Sequence, residues 1–200
     1  MSEINQKWLS DFIKDIQNWF HERGSNWSEA WTEGLLLIPA CEFLIERCWK
    51  VAGERSNHQI FGDNKETTPY KSFDICAEKK NGDKIDRILV EIKFLKPPKD
   101  SNGHLRKGAA INKSRIEKDV EKLRSVNHRC ERIMVVGIHP FVTDGETVIT
   151  SLTRNKDVKS IISIGADQND RGQDGANVRI VGFIFSACGA AEHVERISET

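Results

Sequence analysis

Apolar and polar positions alternate most clearly between Ser72 and Leu95. Phe73, Ile75 and Ala77 recur with a period of two, and Ile88, Val90, Ile92 and Phe94 do the same further on, which predicts two strands. Asn81-Gly82 between them is suited to a tight type I′ turn, so the pair reads as a hairpin. With Asn81-Gly82 as the two-residue loop, Lys80 faces Asp83, Ile75 faces Ile88, Phe73 faces Val90 and Asp74 faces Leu89. One face is then apolar: Phe73, Ile75, Ile88, Val90, Ile92 and Phe94. The other carries Asp74, Glu91 and Lys93 with Leu89 and Leu95. A slip of one residue would scatter the apolar set over both faces. In this register Asp74 and Glu91 are diagonal neighbours, roughly 7–8 Å apart.

The rest of the chain follows the same logic. Ile4, Trp8, Phe12, Ile16 and Phe20 recur every four residues and predict an amphipathic helix over 3–22. Its aromatic stripe, continued by Trp19, Trp27 and Trp31, suits core packing first and base stacking second. A helix is predicted over 35–51, with Pro39 in its first turn, and a short strand over 58–61. The stretch 96–110, with two prolines and two glycines, reads as a loop. A helix over 111–126 turns Ile116, Val120 and Leu123 inward. The unbroken apolar run 132–138 predicts a strand covered on both faces, with His139 at its end. A helix is expected over 147–164, a polar glycine-rich segment over 165–177 and a strand over 178–185.

At 200 residues with 38% hydrophobic content, the chain suits one α/β domain with a genuine core. The longest apolar run, 35–41, is too short to span a membrane, and no signal segment opens the chain. Five cysteines without a C-x-x-C pair fit buried reduced thiols and a cytoplasmic setting. The formal net charge is zero, which counts mildly against unspecific DNA affinity. Distribution modifies this: Lys93, Lys96, Lys99, Arg106, Lys107, Lys113, Arg115 and Lys118 are opposed over that span only by Asp100 and Glu117.

Two carboxylates and a lysine on one face of a central hairpin suit metal-assisted phosphodiester hydrolysis. Carboxylate oxygens are hard ligands for Mg²⁺ or Mn²⁺, and a neighbouring ammonium can orient water or offset growing negative charge. Asp74, then sixteen residues, then Glu91-Ile92-Lys93 resembles the PD-(D/E)xK, or restriction-endonuclease-like, nuclease superfamily. The proline that names the motif is replaced by Phe73. The resemblance covers about the middle half of the chain. It implies an αβββαβ core: a central mixed sheet flanked by helices, here with an extra N-terminal amphipathic helix. The domain would divide into an extension (1–32), the core (33–140) and a C-terminal helix and strand (141–200).

The resemblance further implies Asp74, Glu91 and the backbone carbonyl of Ile92 as Mg²⁺ ligands, Mn²⁺ substituting, with Lys93 as the catalytic lysine. A glutamate from the preceding helix would complete the shell: Glu42, with Glu46 one turn on as the alternative. Lys96, Lys99, Arg106, Lys107, Lys113 and Arg115 would contact the backbone of DNA, RNA being the alternative substrate. The expected activity is that of a DNA nuclease in a restriction or defence setting. The competing expectation is a catalytically silent nuclease-fold module that binds nucleic acid or a protein. A second copy or a partner protein could then dock on the N-terminal aromatic helix.

Overall fold

A computed structural model of the protein describes residues 4–23, 32–64, 71–154, 157–164 and 178–185. The elements in order are α1 (Gln6–Arg23), α2 (Glu33–Glu46), β1 (Lys50–Ser56), α3 (Asn57–Phe61), β2 (Ser72–Asn81) and β3 (Lys84–Leu95). There follow α4 (Lys113–Arg124), β4 (Glu131–Ile138), α5 (Gly145–Thr153), β5 (Val158–Ile164) and β6 (Arg179–Phe185). The fold class is α/β: the strands form one six-stranded mixed sheet in the order β1-β2-β3-β4-β6-β5. Only β3 and β4 run parallel, and α4 lies in the crossover that this pairing requires. No described helix is long and apolar enough to cross a membrane.

β3 is the central strand, and every residue from Ile88 to Leu95 is buried, Glu91 and Lys93 included. Helices cover both faces. On one, Ile75, Ile88, Val90 and Ile92 pack with Phe12, Ile13 and Ile16 of α1 and with Leu36 and Phe43 of α2. On the other, Leu89, Met134 and Phe183 pack with Ile116, Val120 and Leu123 of α4 and with Ile149 and Leu152 of α5. Each such side chain contributes about 1.5–3 kcal/mol when fully buried. The aromatic stripe of α1 is directed to the core: Phe12 and Phe20 are buried, and Trp8 and Trp19 pack against the same cluster. Trp8 and Trp19 are half-buried, so the stripe serves core packing first. Trp27 and Trp31, like residues 165–177, lie outside the described residues.

The hairpin pairs two residues away from the expected register. Asn81 faces Lys84, Ala77 faces Ile88 and Ile75 faces Val90. The loop is therefore Gly82-Asp83, and only its first position has a positive φ (Gly82, 62°), the type II′ pattern rather than type I′. A shift of two keeps the parity, so Ile75, Ile88, Val90 and Ile92 still share a face. It also brings Asp74 beside the Glu91–Ile92 segment just beyond the Ile75↔Val90 pair, where the Ile92 N–H donates to Asp74 Oδ2 at 2.7 Å. Phe73 is a correction: it packs on the α4 side with Cys76 and Leu89. The cause lies opposite Asp74, where Glu54 takes φ of 41° and kinks the edge between Gly53↔Ile75 and Arg55↔Phe73.

Three further elements differ from expectation. The second helix begins at Glu33, six residues before Pro39, and ends at Glu46, where exposed Cys48 turns the chain with φ of 62°. The strand expected at 58–61 is the short helix α3, started by a capping box between Ser56 and Gln59, and the strand lies before it as β1. The stretch 147–164 is a helix only as far as Thr153. Val158, Ile161, Ile162 and Ile164 make the remainder β-branched, and it pairs with β6.

Two devices hold α4 against the sheet. At its start, the Asn112 amide donates to the Phe94 carbonyl (2.7 Å) and accepts from the Lys96 N–H (3.2 Å). At its end, fully buried Arg132 donates through Nη1 to the carbonyls of Leu123, Arg124 and Val126 at 3.2–3.4 Å.

The docking of α1 is open to a direct test. A Cβ on Gly182 of β6 would meet the Ile13 Cδ1 and Cγ1 at 2.6 Å. Gly182→Ala should cost about 1–3 kcal/mol in urea denaturation. Combined with Ile13→Ala it should cost less than the sum of the two single losses, because the same space is vacated. Additive losses would show that α1 does not lie on β6.

Candidate active site

The site forms where β2 and β3 run side by side beneath α4. Side chains at alternate positions of β3 point to the α4 face, so Leu89, Glu91, Lys93 and Leu95 do so together. Asp74 of β2 reaches in beside them, and its Oδ2 accepts the Ile92 N–H at 2.7 Å. The three motif residues predicted from sequence are thus brought together, with the Asp74 charge acting on both Glu91 and Lys93.

Ion pairs extend the group into a chain of alternating charge. The Lys122 Nζ lies 2.6 Å from Glu91 Oε2 and 3.4 Å from Asp119 Oδ1. The Lys93 Nζ lies 3.2 Å from Asp119 Oδ2 and 3.5 Å from Glu33 Oε2, and donates to the Ile92 carbonyl at 3.1 Å. With Glu91 ionised, four carboxylates (Glu33, Asp74, Glu91, Asp119) face two ammonium groups (Lys93, Lys122). That is a formal surplus of two negative charges.

Burial sets the protonation of the two central groups. Glu91 has none of its surface exposed. Desolvation, helped by the Asp74 charge, pushes its acid up to about 8, against the opposing pull of Lys122. Burial also lifts the Cys76 thiol nearby to about 12, a second sign of dry surroundings. For Lys93, burial alone would lower the pKa, but the carboxylates of Asp119, Glu33 and Asp74 outweigh it and move it up. Lys93 is therefore an ammonium at neutral pH, able to donate and to offset negative charge but not to act as a base.

The helix glutamate at the site is Glu33; the expected Glu42 and its alternative Glu46 are both exposed, and Glu46 instead faces Arg47. Nine residues separate Glu33 from Glu42. That is two and a half turns, which sets Glu42 on the opposite face of α2 and about 13 Å along its axis. The signal for Glu33 was present: Thr32-Glu33 directly before an apolar run marks a helix start. Asp119 and Lys122 had a weaker signal, both lying on one flank of the Ile116, Val120, Leu123 stripe.

Of the expected phosphate contacts, Lys96 and Arg115 line an open groove of about 450 Å³ together with Thr32, Glu33, Asn112 and Ser114. Glu33 joins this groove to Lys93. Lys99, Arg106 and Lys107 are exposed on the preceding loop. That loop folds back on itself through the bridges Lys99↔Leu105 and Gly108↔Val142. Lys113 instead pairs with Asp144 at 3.1 Å, and Asp144 also accepts the Ala110 N–H, so this lysine serves to pin the loop. His139 is buried, with Nδ1 accepting the Phe141 N–H, and serves the turn after β4.

The fit of these residues to a divalent cation has two sides. Neither buried oxygen of Glu91 makes a hydrogen bond, and only Oε2 has an ammonium beside it, which leaves Oε1 suited to a cationic ligand. Among the described residues, however, no three His, Cys, Asp or Glu side chains are grouped so as to hold an ion by themselves. Mg²⁺ keeps several waters and needs only one or two carboxylates beside substrate oxygens, so the pair Asp74 and Glu91 suffices for it. No protein-family model matches the chain, and neither a curated protein nor a solved structure matches it.

The Glu91 shift predicts a pH dependence of definite sign. Folding raises this acid from 4.5 to about 8. The folded state therefore holds the extra proton between those values, and stability falls as pH rises through them. In metal-free buffer, the urea midpoint of the wild type should fall from about pH 5 to about pH 8, by a few kcal/mol in stability. Glu91→Gln should flatten that slope. Equal slopes in the two proteins would mean that Glu91 ionises normally.

Proposed function

We propose that the chain is a metal-dependent nuclease hydrolysing DNA phosphodiester bonds, acting in the cytoplasm in a restriction or defence setting. The observation that carries this reading is the meeting of Asp74, Glu91 and Lys93 in one buried charge cluster on neighbouring strands. Support comes also from the element order α2-β1-α3-β2-β3-α4-β4, an α-β-β-β-α-β sequence apart from the five-residue helix α3, in which the motif residues occupy the second and third strands. This is the arrangement expected of a restriction-endonuclease-like core.

Asp74 and Glu91 would hold Mg²⁺ or Mn²⁺, with the orphaned Glu91 Oε1 as a ligand atom. When bound, the ion supplies Lewis-acid stabilisation of the phosphoryl group and a water of lowered pKa. The Ile92 carbonyl, bonded to Lys93, is a third oxygen beside these acids. Lys93, held by Asp119 and Glu33, donates from its ammonium to the attacking water or to a phosphate oxygen. Lys96 and Arg115 in the adjoining groove hold the nucleic-acid backbone, with Lys99, Arg106 and Lys107 extending the contact along the loop. Glu33 is the helix glutamate of the site, and its carboxylate holds Lys93 rather than joining Asp74 and Glu91 at the ion.

A second reading, a silent nuclease-fold module that binds a protein or nucleic acid, is favoured by one observation. The Lys122 ammonium already sits on Glu91, so the chain neutralises this acid by itself.

Cleavage of mixed single- and double-stranded DNA in Mg²⁺ and in Mn²⁺ separates the two. Wild-type cleavage should fall at least about a hundredfold in Asp74→Ala and in Lys93→Ala, and stay unchanged in Glu42→Gln. Cleavage that survives both alanine variants would overturn the site. No cleavage by a wild type that binds the same DNA would favour the silent module.

A further inference from the structure

The Lys122–Glu91 pair has a consequence for how the site is filled. Glu91 is fully buried, so its ionised form requires a positive partner at all times. Lys122 provides one at 2.6 Å on Oε2, while Oε1 has none. Lys122 is on α4 and keeps about a fifth of its side chain in contact with solvent, so it has room to move. A second resting place already lies within reach: Asp119 Oδ1, 3.4 Å from the same Nζ, whose other oxygen faces Lys93.

We propose that Lys122 is the built-in counter-ion of the site, bound to Glu91 in the metal-free protein and displaced onto Asp119 when a divalent cation binds. This rests on the metal-binding reading of Asp74 and Glu91. A divalent ion at Glu91 and an ammonium on the same carboxylate repel each other at short range in a dry environment. Exchange relieves the repulsion, and Asp119 then holds two ammonium groups, each on its own oxygen. Lys122 thereby keeps Glu91 paired in the empty site and weakens the grip of the full one, setting a threshold of free cation below which the site stays closed.

Two measurements on the 200-residue chain test this without recourse to activity. In Mg²⁺ calorimetry at about pH 8, where Glu91 can ionise, Lys122→Met should bind Mg²⁺ at least about tenfold more tightly than wild type. Lys113→Met, which removes a lysine paired elsewhere, should bind as wild type does. Nitrogen-resolved NMR of the lysine ammonium groups in the wild type needs no variant that has to fold. The Lys122 signal should move as Mg²⁺ saturates the protein, whereas that of Lys113 should not. Equal Mg²⁺ affinity of wild type and Lys122→Met, or a Lys122 signal unmoved at saturation, would overturn the proposal while leaving the metal site intact. Absence of Mg²⁺ and Mn²⁺ binding in both proteins would overturn the metal reading itself, and the proposal with it.

Discussion

Glu91 stands in the buried half of β3, an interior strand, with none of its surface in water, and the arrangement around it follows from that constraint. Moving one ion into a protein interior costs several kcal/mol even after relaxation. A leucine there would extend the apolar face of Leu89 and Leu95 without that cost. The chain instead carries an acid, surrounds it with Lys122, Asp119, Lys93 and Glu33, and leaves Oε1 with neither a hydrogen bond nor an ammonium, Oε2 having only the Lys122 ion pair. Such an arrangement is poorly explained as a means of stability. What it does provide is concentrated negative charge next to a fixed ammonium.

The remainder of the fold keeps these groups in place. Lys122 and Asp119 are useful only if α4 lies at one height above β3. The Asn112 amide fixes the start of that helix to the end of β3, and Arg132 fixes its end from β4. In the parallel β3–β4 pair Arg132 lies opposite Leu89 and Phe94 opposite Gly137, so the two anchors hold α4 toward opposite ends of that pair. The basic loop before α4 is fastened in turn through Asp144. Burial and the Ala110 N–H act on the Asp144 carboxyl in opposite senses; with Lys113 added, the balance lowers its pKa. The groove holding Lys96 and Arg115 is therefore bounded by anchored backbone on the α4 side.

Much of this was legible in the sequence, and the parts that were not have physical reasons. The hairpin tolerated an error of two residues in register because side-chain faces depend only on parity, so Asp74, Glu91 and Lys93 were grouped correctly. Phe73 was misplaced because the left-handed turn at Glu54 belongs to a neighbouring strand. Glu33 is hard to pick out because Pro39 points to a helix start further on, whereas α2 carries that proline in its interior. Asp119 and Lys122 could not be paired with Lys93 and Glu91 from spacing alone, since the pairing depends on where a crossover helix settles. β5 was hidden because its apolar residues continue the helical spacing of α5.

The central claim is that Asp74 and Glu91 together hold a divalent cation beside Lys93. Anomalous diffraction from crystals grown with Mn²⁺ locates that ion directly. A single strong peak within coordination distance of both carboxylates, with the Lys93 amine next to it, is the result this account predicts. A peak elsewhere, or none while Lys122 still holds Glu91, would contradict it.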